Sequence, residues 1–236
     1  MLGNGINFKN SEDIEVAERR YLDGGIKKKY VFFILLFSFI IFPISFYVVR
    51  KLNSSLFIEN KFIEKTDGKI LGHFPYKEVG KELLIEVEPN ILVHREMYSS
   101  LLEMRSDAYK EGVYLVFLSG FRSIKLQNEI FYSIKSLRNQ SAFERARVSA
   151  PPGFSEHSTG FAIDIGDALK RESDFEVEFE NTKAFKWLKQ NAAKYHFKMS
   201  FDKNHKNVDY EPWHWRYEGS IESLKIFEAS NRSSKK

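Results

Sequence analysis

The stretch Ser155-Glu156-His157-Ser158-Thr159-Gly160-Phe161-Ala162-Ile163-Asp164-Ile165 decides how the rest of the chain is read. Phe161 to Ile165 has the length and apolar content of a strand, yet Asp164 stands in its middle. A carboxylate there is costly to bury unless something binds it. The turn before the strand carries His157, and a second segment, Glu211-Pro212-Trp213-His214-Trp215, sets a carboxylate and a histidine three residues apart.

Together the two segments supply a metal site. A catalytic zinc takes three protein ligands from nitrogen or carboxylate oxygen and keeps a fourth position open. His157, Asp164 and His214 fill the three places, and Glu211 is then the candidate general base. Each residue also has a plainer reading. For Asp164 it is a turn cap or a partner of a lysine, and for Glu211 an exposed carboxylate near Arg216. His73, His94, His196 and His205 join no pattern and are read as surface or hydrogen-bonded core residues. Spacing alone leaves the metal site open, because separated His and Asp occur in most chains.

Outward from these segments, Val93, Met97, Leu101, Met104 and Ala108 recur at helical spacing, with Gly112 as a stop. Val113 to Leu118 is a short apolar run of β-formers that ends at Ser119-Gly120 and predicts a buried strand turning sharply. Leu126, Ile130, Ile134 and Leu137 predict a second amphipathic helix. Phe185, Leu188, Ala192 and Tyr195 predict a third, with Asn181 as its cap. Helices and short strands without strict βαβ alternation point to an α+β fold.

The 236 residues contain no cysteine, which excludes disulfides, thiolate metal sites and a cysteine nucleophile. The net charge is +4, but the lysines gather near an apolar segment and at the tail, so nucleic acid is not an expected partner. From Tyr30 to Val49 no residue is charged. That length matches a hydrocarbon core of roughly 30 Å, and Lys27 to Lys29 and Arg50-Lys51 flank it. The expected organisation is a cytoplasmic tail over 1–29, a single transmembrane anchor over 30–49, a linker over 50–69 and a folded domain over 70–232. The basic excess favours the N-terminus inside and the domain outside the cytoplasm. A cleaved signal is the alternative, although no small-x-small site follows.

Ser119-Gly120-Phe121-Arg122-Ser123, Ser149 to His157, Gly160 to Ile165 and Glu211 to Arg216, taken in this order, resemble the VanY-like D-alanyl-D-alanine carboxypeptidases. The resemblance covers roughly residues 70–220. It implies a small, mainly antiparallel sheet flanked by helices, the fold shared by zinc D-Ala-D-Ala metallopeptidases and the Hedgehog signalling domain. It implies Zn2+ held by His157, Asp164 and His214, Glu211 as base and Arg122 on the oxyanion. Gln127, Ser149 and Ser155 match positions that line the pocket for the substrate's terminal carboxylate. Phe121 stands where tyrosine is common in relatives. The expected substrate is a peptidoglycan stem peptide losing C-terminal D-alanine at the bacterial cytoplasmic membrane. The alternatives are an L,D-carboxypeptidase acting on tetrapeptide stems, or a zinc-stabilised wall-binding module without turnover. Glu211 argues against the last, since a module that only binds needs no base beside the metal.

Overall fold

The computed structural model describes residues 69–233 except residue 71, so the expected tail, anchor and linker up to residue 68 lie outside the described residues. No helix among the described residues is long and apolar enough to cross a membrane. Strands β1 (Leu84–Glu88) and β2 (Ile91–His94) form an antiparallel hairpin. Asn90, at its tip, adopts a left-handed φ of 66°, which asparagine tolerates better than most residues. Helix α1 (Arg95–Lys110) follows directly, with the His94 ring accepting from the amide of Glu96 as its N-cap. Met97, Leu101, Met104 and Ala108 are its buried stripe, as the spacing predicts. Val93 is not part of it: that residue is buried in β2.

Strand β3 (Leu115–Ser119) starts two residues later than the apolar run does. It leads through the Gly120–Ser123 turn into α2 (Ile124–Leu137), capped by Ser123, and then α3 (Ala142–Val148) opens with a capping box between Ser141 and Glu144. The predicted apolar stripe of α2 is corrected by the structure. Leu126 is 45% and Leu137 82% exposed, whereas Gln127 and Phe131 are buried. The helix turns its polar Gln127 inward, where the side chain accepts from Arg122 Nη1 and donates to Ser149 Oγ.

Strand β4 (Ala162–Asp167) is buried along its whole length and lies between β3 and β6 (His214–Tyr217), with β5 (Phe197–Met199) on the far edge; all three pairings are antiparallel. Helix α4 (Lys183–Asn191) is capped by Thr182 rather than by the predicted Asn181, and Ala192 and Tyr195 belong to a 3-10 turn beyond it. Helix α5 (Ile221–Ser233) closes the described chain. Successive strand residues face opposite sides of a sheet. Ile163, Ile165, Trp215 and Tyr217 enter one core with Leu115, Phe117, Met97, Leu101, Phe185 and Leu188. Asp164, His214 and Arg216 alternate with them and so face the other side. The architecture is α+β, with a small antiparallel sheet covered by helices.

Candidate metal centre

Strand register does the first part of assembly. Asp164 is the Cα partner of His214 across β4 and β6, and Ser119 is the partner of Asp164 across β3 and β4. His157 comes from a 3-10 turn, Glu156–Thr159, which Gly160 ends with a left-handed φ of 73°. A Cβ on Gly160 would press on the backbone of His94 at 3.1 Å, so this position needs glycine both for conformation and for space. The Thr159 hydroxyl donates to the Glu156 carbonyl and accepts from the Phe161 amide, which stiffens the turn. The turn is tied to the loop after β3 by the Arg122 amide donating to the His157 carbonyl and by the Ser158 hydroxyl donating to the Arg122 carbonyl.

The outcome is one buried cluster. Ligand-capable atoms of His157, Asp164 and His214 lie within 4.8 Å of one another, although the residues come from distant parts of the chain. His157 Nδ1 bonds the Gly120 carbonyl at 2.7 Å, so Nδ1 carries the proton and Nε2 faces Asp164 Oδ2 at 3.2 Å. His214 turns Nδ1 to Asp164 Oδ1 at 3.1 Å and Nε2 to Glu156 Oε2 at 2.9 Å. Two imidazole nitrogens and a carboxylate oxygen, all buried, are a donor set suited to a divalent ion such as zinc.

Charge in the cluster is strongly coupled. Burial lowers the pKa of the His157 ring. Burial opposes ionisation of Asp164, but His157 and His214 outweigh it and hold that carboxyl well below the usual range. Burial likewise opposes the charge on His214, yet its bonds to Asp164 and Glu156 push it up to about 10. A cation at this place must displace a proton from the cluster, since a ligating imidazole nitrogen must be bare.

Glu211 lies at the mouth of β6, its amide bonded to the Phe201 carbonyl and its carbonyl to the His214 amide. Burial, reinforced by the charges of Asp164 and Glu156, pushes its carboxyl up to about 8 against the pull of His214 and Arg122. That value suits a group that must both take and give a proton near neutral pH. Arg122 Nη2 sits 3.9 Å from Asp164 Oδ2 and donates to Ser119 Oγ, while Nη1 donates to Gln127 Oε1 at 2.9 Å. Gln127 gives both amide protons away, to Ser149 Oγ at 3.2 Å and to the Ala150 carbonyl at 2.6 Å. It is a strut for Arg122 and the Ser149 loop. Ser155 is buried immediately before the His157 turn.

Sequence reasoning missed Glu156. Fully enclosed, it accepts from His214 Nε2, from Ser200 and from Arg216 Nη1 at 2.7 Å, and the last of these also donates to Ser230 at 3.0 Å. The signal was present: an acid beside His157 in an otherwise small, neutral turn, and an arginine two residues after His214 on the same strand face. Of the four histidines set aside, His73 donates to the Ala146 carbonyl, His94 caps α1, His196 takes a left-handed φ of 65° and His205 accepts from the Val208 amide. None joins the cluster among the described residues. Trp215 is in the core, and Trp213 is half-buried against it.

Comparison with known proteins agrees with this geometry. YodJ of Bacillus subtilis (strain 168) is 39% identical over 132 residues, 54% of this chain and 46% of that protein. The D-alanyl-D-alanine carboxypeptidase of Enterococcus faecium is 29% identical over 137 residues, 56% of this chain and 40% of that protein. The matched region thus spans less than half the length of either relative. The solved LD-carboxypeptidase LdcB superposes with a TM-score of 0.53 at 29% identity, covering 71% of this chain and 88% of that one. The model of the VanY D-alanyl-D-alanine carboxypeptidase family matches residues 90–220, more than half of the sequence, and the chain belongs to that family.

Proposed function

We propose that this chain is a zinc carboxypeptidase that releases C-terminal D-alanine from peptidoglycan stem peptides. The observation that carries the reading is the buried His157–Asp164–His214 cluster with Glu211 and Arg122 beside it. His157 Nε2, Asp164 and His214 Nδ1 would hold the ion. Bound there, zinc supplies Lewis acidity, lowering the pKa of water and polarising the scissile carbonyl.

The chain's own residues do the rest. Glu211 takes a proton from the attacking water at its carboxylate and returns it to the amine of the departing residue. Arg122, braced by Gln127 and Ser119, offers its guanidinium to the carbonyl oxygen as negative charge develops. Asp164 and the Gly120 carbonyl keep the His157 ring in one orientation. Ser149 and Ser155 border the space that receives the terminal residue.

Residues 30–49 anchor the chain in the bacterial cytoplasmic membrane, with the tail 1–29 inside and the domain 70–232 facing the wall. The uncharged run and its basic flanks support this. A second reading, removal of D-alanine from tetrapeptide stems by L,D-cleavage, is favoured by the similarity to LdcB. Incubation of the purified full-length chain with pentapeptide and tetrapeptide stems, followed by mass spectrometry, separates the two. Loss of D-alanine from the pentapeptide supports the first reading, loss only from the tetrapeptide the second, and loss from neither in the presence of zinc overturns both.

A further inference from the structure

Helix α2 carries an apolar stripe that the core of the domain does not use. Leu126, Ile130, Ile134 and Leu137 follow one another at steps of three and four residues, so they share one side of the helix. The interior takes Gln127 and Phe131 instead. Leu126 is 45% exposed and Ile130 and Ile134 are half-buried. Leu137, at 82%, is the most exposed large apolar side chain among the described residues. A single leucine in water needs no explanation, but a row of them along a 14-residue helix is the pattern of a face that meets something.

The covering surface follows from where the chain enters the domain. His73 is buried, and its Nε2 donates to the carbonyl of Ala146 in α3, the helix that packs on α2. The described residues begin four positions earlier, at Lys69, and only residues 50–68 separate Lys69 from the uncharged segment 30–49. A chain of that length spans at most about 65 Å when fully extended. A bilayer that holds residues 30–49 therefore tethers the domain at its α2–α3 end. Charge points the same way. Lys125 and Arg138 adjoin the two ends of the stripe, and with Lys135 they outnumber Glu129, so this face suits an anionic surface. The dimensions also fit. A 14-residue helix is too short to cross a hydrocarbon core. Lying flat, it brings Leu126 and Leu137, roughly 16 Å apart along its axis, into one interface.

We propose that this face of α2 docks on the surface of the lipid bilayer. Leu126, Ile130, Ile134 and Leu137 enter the boundary between headgroups and acyl chains, while Lys125 and Arg138 extend to the phosphates. The inference rests on the membrane-anchor reading of residues 30–49 and deepens it, since the domain then lies on the membrane instead of standing clear of it. Gln127, on the buried side of the same helix, braces Arg122, so seating α2 holds the candidate site close to the lipid surface.

The test uses the full-length chain reconstituted into vesicles of phosphatidylcholine and phosphatidylglycerol. The chain has no cysteine, so Leu126→Cys and Leu137→Cys each accept a single bimane label. Leu169→Cys is the control: that residue is 67% exposed and follows β4 at the opposite end of the β3–β4 pair from the turn that starts α2. Doxyl-labelled lipid should quench the labels at 126 and 137 at least twofold more strongly than the label at 169. Leu137→Glu, added to the chain labelled at 126, should remove at least half of that quenching without lowering the melting temperature. Equal quenching at all three positions, or quenching that Leu137→Glu leaves unchanged, overturns the proposal. Cross-linking of unlabelled Leu137→Cys between copies, with lipid quenching absent, overturns it as well and assigns the stripe to a second copy of the chain. Alkaline carbonate extraction tests the anchor separately. If it releases the wild type, the anchor reading fails, and quenching of the same labels by added vesicles then decides the role of α2, its absence refuting lipid docking.

Discussion

Glu156→Gln is the substitution that most directly tests how the cluster is held. The side chain keeps its shape and its enclosure but loses its charge and one of its two acceptors. Three donors converge on it: Arg216 Nη1 at 2.7 Å, Ser200 Oγ at 2.5 Å and His214 Nε2 at 2.9 Å. A carboxylate can accept all three, whereas an amide must turn its own N–H groups towards at least one donor. Orphaning a buried charge typically costs about 3–5 kcal/mol. Arg216 retains Glu218 at 2.7 Å and Asn231 at 2.7 Å, so it is not orphaned. The remaining loss is of the order of one or two hydrogen bonds to charged groups, about 2–3 kcal/mol. For a domain of this size that lowers the melting temperature by roughly 5–10 °C. His214 keeps Asp164 on Nδ1 but loses its charged acceptor on Nε2, and loss of such a partner behind a ligating imidazole weakens metal affinity by roughly 10- to 100-fold. Competition against a chelating dye measures the affinity, with Glu211→Gln as the control that leaves the His214 ring untouched. If Glu156→Gln folds and binds zinc as tightly as the wild type, Glu156 does not hold His214 in its ligating orientation.

Glu211→Gln itself should lower kcat on a stem peptide by at least 10²-fold while zinc content by metal analysis stays constant. Gly120→Ala would bring a Cβ to 2.3 Å from the Leu92 carbonyl, and circular dichroism melting should show a loss of about 1–3 kcal/mol with weakened zinc retention, because the Gly120 carbonyl orients His157. His73 is buried and pushed down to about 4, so between pH 6.5 and 4 the unfolded chain takes a proton that the folded chain refuses. Relative to His73→Gln, the wild type should lose about 3 kcal/mol of folding stability across that window as pH drops, read as the difference between the two denaturant titrations, since the raised Glu211 carboxyl contributes with the opposite sign in both proteins. Removal of zinc by a chelator should lower the melting temperature, by an amount that grows with the zinc concentration of the starting buffer; a midpoint independent of zinc would contradict binding to the folded state.

What the sequence made legible follows from what patterns can carry. The α1 stripe and the strand around Asp164 were readable because core burial imposes a period on apolar residues. The same rule failed in α2, where Leu126 and Leu137 stay outside the core and Gln127 is buried to serve Arg122 and Ser149. Burial of a polar side chain leaves no apolar period to detect. The hairpin β1–β2, helices α3 and α5 and strands β5 and β6 were not predicted, being short or dependent on pairing with distant segments. His157, Asp164, His214, Glu211 and Arg122 were nameable through the family resemblance. Their convergence to within 4.8 Å for the three ligands needed the register of β4 against β6.

Glu156 and Arg216 show why the supporting layer is harder to read than the cluster itself. Arg216 sits two residues after His214, hence on the same face of β6, and Glu156 reaches both with its two oxygens. Arg216 in turn is held by Ser230 and Asn231 of α5 and lies over the ring of Phe227 from the same helix. A chain of charged hydrogen bonds therefore runs from the last helix through Arg216 and Glu156 to His214. Each member alone looks like an ordinary surface residue in the sequence. Only the fold makes them buried, and burial is what gives their pairing its strength, because the same contacts exposed to water would contribute little. The α5 helix thus belongs to the support of the metal site although it supplies no ligand.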